Sequence, residues 1–61
     1  MTEEQLKELK MLLELRFEHA EKDSKYYAGK GDGMEFMTRY TEGHAKAYKT
    51  VLNDIEAILN R

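Results

Sequence analysis

Gly29-Lys30-Gly31-Asp32-Gly33 decides how this chain folds. Three of its four glycines fall in those five residues, the fourth is Gly43, and there is no proline. Glycine reaches backbone conformations closed to other residues and weakens a helix interior, so this pentapeptide is the one convincing break. Both flanks read as helix. Upstream, Thr2-Glu3-Glu4-Gln5 matches a capping box, with the Thr2 hydroxyl accepting the Gln5 amide proton. Downstream, Asp32-Gly33-Met34-Glu35 repeats the pattern, with Asp32 as N-cap and Glu35 three residues on. Gly29 suits a left-handed position that closes the first helix. The expectation is one helix over about 3–28 and a second over about 33–60, each roughly 40 Å long. So short a loop makes them antiparallel neighbours, an all-α two-helix hairpin in which residues 1–61 form a single unit.

Apolar spacing supports both helices. In the first, Leu6, Leu9, Leu13, Phe17, Ala20, Ser24 and Tyr27 fall within about 80° of a helical wheel, a narrow seam. In the second, Met37, Tyr40, His44, Ala47, Val51, Ile55 and Ile58 do the same, and Phe36, Tyr48, Leu52 and Leu59 widen the stripe to about 160°. Glu3/Lys7, Glu18/Lys22, Glu21/Lys25 and Glu42/Lys46 stand at i,i+4 spacing on the outer faces. Closure around the loop pairs residues whose numbers sum to about 61, which sets Leu6 against Ile55, Leu9 against Leu52, Leu13 against Tyr48 and Phe17 against His44.

This stripe is wider than one hairpin needs. Two helices side by side bury one seam each, yet Met11, Leu12 and Leu15 lie away from the first seam, and the second stripe is twice as wide. Left in water, such surface marks an interface. The economical solution is a homodimer or larger assembly of hairpins, a four-helix bundle with two-fold symmetry and coiled-coil-like packing. Leu12, Leu15, Val51, Leu52, Ile55 and Leu59 are the residues expected to carry self-association. Near the hinge, Tyr26, Tyr27, Met34, Phe36, Met37 and Tyr40 crowd together. Tyr and Met are enriched at recognition surfaces, and Tyr26, Met34 and Phe36 fit the end of the bundle least well. Those three are the expected contacts to another protein.

Composition narrows the function classes. With 41% hydrophobic and 36% charged residues the chain is too apolar for a disordered tail. It has no cysteine, which rules out disulfides and thiolate metal sites and fits a cytoplasmic location. Met1-Thr2-Glu3-Glu4-Gln5 is acidic and polar, unlike a signal peptide, and the longest apolar run is Met11-Leu12-Leu13, so no membrane span is expected. Net charge is −2 and evenly spread, with six Lys/Arg against seven Asp/Glu in residues 1–31 and four against five in 32–61. Without a concentrated basic patch, nucleic-acid binding is disfavoured.

No constellation points to an enzyme, a cofactor or a metal site. His44 is the one titratable group expected on the core seam, where a single hydrogen bond would satisfy it. His19 and Asp23 stand at i,i+4 as a solvated pair. Gly31 and Gly33 precede a helix start, but a phosphate loop needs the G-x-x-x-x-G-K-[ST] spacing after a strand, and Asp32 opposes an anion. Ser24, the only serine, sits mid-helix away from any histidine. The carboxylates lie at salt-bridge spacing on outer faces rather than in a desolvated pair.

Gly43-His44-Ala45-Lys46-Ala47-Tyr48-Lys49-Thr50-Val51-Leu52-Asn53-Asp54-Ile55 resembles, in composition, the C-terminal helices of short proteins encoded by phages and mobile elements of Gram-positive bacteria. That resemblance implies a small protein that binds and inhibits a host protein. By architecture alone the chain is similar to the Rop family of plasmid-encoded RNA-binding four-helix-bundle dimers. The alternative that follows is RNA binding through Lys7, Lys10, Lys22, Lys25 and Lys30. The leading expectation is a non-catalytic, homo-oligomeric helical hairpin working through protein–protein contact as an inhibitor or adaptor.

Overall fold

The computed structural model describes residues 1–61 as two helices, α1 (Glu3–Lys30) and α2 (Glu35–Leu59), packed on each other over a body with Cα extents of 45 × 15 × 14 Å. The antiparallel all-α hairpin is as the spacing predicts. α1 starts on its capping box: Thr2 Oγ1 accepts from the Gln5 amide at 3.1 Å, and Gln5 Oε1 accepts from the Thr2 amide at 2.9 Å. Glu3 and Glu4 occupy the first turn, where the helix dipole favours anions.

The hinge differs from the expectation in two ways. Gly29 does not close α1; it stays helical, and the helix runs on to Lys30. The reversal is made by Gly31 (φ 77°, ψ −133°) and Gly33 (φ 91°), a backbone that only glycine adopts without strain. Asp32 is not the N-cap of α2. That position falls to Met34, which lends no side-chain bond, and Glu35 Oε2 instead accepts from the Gly33 amide at 3.1 Å. With the turn centred on Gly31–Gly33, Asp32 lies too far ahead of the first turn to reach its free amides.

This division of labour among the glycines is measurable. A Cβ added at Gly29 or Gly31 would meet nothing within 4 Å, so the backbone alone decides each outcome. Gly29→Ala is expected to stabilise the chain by about 0.5–1 kcal/mol. Gly31→Ala is expected to destabilise it by about 1–2 kcal/mol, because its φ leaves the α and β regions. Urea unfolding followed by circular dichroism separates the two signs.

α1 buries the face its spacing indicates. Leu6, Leu9, Leu13, Phe17, Ser24 and Tyr27 are half-buried and Ala20 is buried, with the Lys10 stem half-buried at the margin. α2 does not. Its inner face consists of Met37, Thr38, Thr41, Ala45, Tyr48, Leu52, Ile55 and Leu59, whereas Tyr40, His44, Ala47, Val51 and Ile58, expected in the seam, are exposed. The hairpin uses the far edge of the wide apolar arc. Small residues explain the choice: Ala20 on α1 and Thr41 and Ala45 on α2 permit close approach of the backbones. Thr41 enters the seam by turning its hydroxyl onto its own helix, 2.9 Å from the Met37 carbonyl and 3.0 Å from that of Thr38.

The cross-helix register is displaced as well. The Lys10 ammonium lies 3.6 Å from Glu56 Oε1, and the Lys49 ammonium 5.7 Å from the Phe17 ring centroid. In both pairs the residue numbers sum to 66, not 61. The cause is local: α1 ends two residues later than expected and α2 begins two residues later, which raises the sum by about four. His44 therefore does not oppose Phe17, and the other expected pairings slide by about one turn.

Candidate interaction faces

The buried apolar core amounts to Ala20, Leu52 and Ile55, and none of the three is completely buried. The chain exposes 5029 Å². A compact folded monomer of this mass exposes about 4,100 Å², so the hairpin carries an excess of about 900 Å². One seam between two long helices cannot cover more.

The two long faces of the hairpin differ in chemistry. One is charged. Lys10 joins Glu14 at 3.8 Å and Glu56 at 3.6 Å, and further along, a shallow groove is lined by Glu21, Ser24, Lys25 and Glu42. The opposite face holds a groove of about 170 Å³, with Ala20 and Thr41 at its floor, Arg16, His19 and Asp23 along α1, and His44 and Tyr48 along α2. On this side α2 lays out Phe36, Tyr40, His44, Ala47, Val51 and Ile58, all exposed. Its aromatic half is ordered as a ladder. Phe36 stacks on Tyr40 at 6.2 Å and 20°, Tyr40 meets His44 at 4.2 Å, and His44 meets Tyr48 edge-on at 6.2 Å.

The residues expected to carry self-association divide between the seam and the surface. Leu52 and Ile55 are 5% and 4% exposed, so the hairpin's own seam absorbs them. Leu59 is half-buried beside Leu6 and Ile58 at the open end. Val51 lies free on the outer stripe of α2. Leu12 and Leu15 are more than half exposed and form a second apolar strip with Met11, edged by Glu8. The three expected partner contacts belong to separate clusters. Tyr26 packs edge-on to Tyr27 at 5.3 Å with the Lys30 ammonium 5.0 Å from its ring, Phe36 (75% exposed) stacks on Tyr40, and Met34 sits at the hinge. Sequence reasoning missed that Tyr40 and His44 belong to an outer stripe. The signal was the 160° breadth of the α2 arc, about twice what one seam uses.

No three His, Asp or Glu side chains converge as a metal site requires. His44 stands between two tyrosines on an open face, not on the core seam. The hinge cavity, about 390 Å³, is lined by Asp32, Glu35 and Glu42 against the single cation Arg39, an arrangement that repels anions. Of the five lysines that an RNA surface would use, Lys7 pairs with Glu3 at 3.4 Å, Lys10 with two glutamates, and Lys30 covers Tyr26. Neither helix is long and apolar enough to cross a membrane. No protein-family model, curated protein or solved structure matches the chain.

Proposed function

We propose that this chain is a small, non-catalytic interaction protein: a helical hairpin that completes its core by pairing with a second copy and works by binding another protein, as a phage-type inhibitor or adaptor in the cytoplasm. The observation that carries this reading is the excess of about 900 Å² of surface, close to the roughly 800 Å² that each partner contributes to a standard interface. The apolar stripe of α2 gives that surface the composition an interface core needs.

Sedimentation equilibrium at micromolar concentration tests it. The expected particle has twice the 7.2 kDa chain mass. Because apolar burial dominates, the dissociation constant should change little between low and physiological salt. A 7.2 kDa species retaining full helicity would overturn self-association. Micromolar binding to structured RNA, weakening steeply with salt and lost in Lys22→Glu/Lys25→Glu, would replace the reading with nucleic-acid binding.

A further inference from the structure

We infer that the second copy packs on the outer stripe of α2, antiparallel to it, around a two-fold axis that passes beside Ala47. This rests on the reading that the chain self-associates, and adds where and in which direction it does so. The stripe runs from Phe36 to Ile58 through Tyr40, His44, Ala47, Val51 and Asp54, with every member exposed. Ala47 stands midway between its ends. The two halves differ in bulk: the hinge half carries Phe36, Tyr40 and His44 in a stacked ladder, and the open-end half carries the smaller Val51, Asp54 and Ile58.

That taper fixes the direction. An antiparallel copy sets the aromatic half of one α2 against the aliphatic half of the other, so Phe36 faces Ile58 of the copy and Val51 faces the bare backbone of Gly43. Nothing lies within 4 Å of the Cβ that Gly43 lacks, so its surface is open to a neighbour. A parallel copy would set Phe36 on Phe36 and leave a gap between the aliphatic ends. At the centre, Ala47 lets the helix axes come within the 8–10 Å of close-packed helices. The occupant follows from charge and area. The one fixed charge on the stripe is Asp54; an antiparallel copy sets it against a Tyr40 hydroxyl, which can donate to the carboxylate, whereas a parallel copy would face it with another Asp54. The surface in excess on one hairpin, about 900 Å², is the size of one side of such a pairing.

Because the chain contains no cysteine, single-cysteine variants report the geometry directly. Ala47→Cys, at an exposed helical position, is expected to oxidise to a covalent dimer with loss of most of the monomer band on a non-reducing gel, since a residue beside a two-fold axis meets its own copy at disulfide distance. Lys46→Cys, on the charged side, should stay monomeric under the same oxidation. A mixture of Phe36→Cys and Ile58→Cys should cross-link more than either alone. Self-linking of Phe36→Cys in preference to that mixture would overturn the antiparallel direction. Cross-linking of Leu12→Cys or Leu15→Cys while Ala47→Cys stays monomeric, in a protein that still sediments as a dimer, would overturn the face and leave self-association standing. A monomer by sedimentation, with no cross-link at any position, would overturn both.

Discussion

Leu52→Glu is expected to unfold the protein outright at every accessible concentration. Leu52 is 5% exposed in a core that otherwise holds only Ala20 and Ile55. Truncating a core leucine to alanine costs about 2–5 kcal/mol through lost transfer energy and the cavity left behind. A single core of this size rarely supplies more than about 3–5 kcal/mol in total. A carboxylate at this position adds the desolvation of an unpaired charge, several kcal/mol more. Lys10, on the facing helix, is already shared between Glu14 and Glu56. Far-ultraviolet circular dichroism should therefore show loss of most helical signal for Leu52→Glu, and a much lower urea midpoint for Leu52→Ala. Retention of helix in Leu52→Glu would mean that the seam described here is not what holds the hairpin together.

The second large effect is expected at a residue that looks harmless. Val51 is 43% exposed, and a substitution at such a helical position ordinarily changes stability by no more than about 0.5 kcal/mol. Glutamate is also a better helix former than valine. Read from the hairpin alone, Val51→Glu should be neutral or slightly favourable. Read from the paired α2 stripes, it places two carboxylates in an apolar interface close to its axis, at a cost of several kcal/mol. The dimer should then dissociate about 100-fold more readily, a change of about 2.7 kcal/mol. Sedimentation should show the monomer, with helicity reduced because assembly was supplying part of the stability.

How much of this was legible in the residues differs between the two helices. The α1 apolar arc spans about 80°, so its spacing allows only one inner face, and Leu6 through Tyr27 lie on it. The α2 arc spans about twice that, and spacing alone cannot say which edge faces α1. The choice is made by tertiary packing, through the small side chains of Thr41 and Ala45 against Ala20. A polar threonine is easily passed over there, because its fitness for the seam depends on a hydroxyl folded back onto the carbonyls of Met37 and Thr38.

The hinge was legible as a break but not in its details. Asp32 and Glu35 present a capping signal that competes with the glycine turn, and the backbone demands of Gly31 and Gly33 decide the outcome. Two residues gained by α1 and lost by α2 then carry through to every cross-helix pair. The exposed apolar surface was legible as an excess of apolar residues, with Leu12, Leu15 and Val51 on the outside. That Leu52 and Ile55 are used up inside the hairpin follows from the same unresolved edge of α2.

The central claim, that this hairpin finishes its fold by pairing with another copy, is tested most directly by the concentration dependence of thermal unfolding. If folding and assembly are coupled, a 100-fold rise in chain concentration adds about 2.7 kcal/mol to the stability of the dimer. For two chains of this length that raises Tm by about 10 °C. In Val51→Glu the dependence should disappear. A wild-type Tm that stays constant across that range, with full helicity at the dilute end, would show a self-sufficient hairpin and contradict the account.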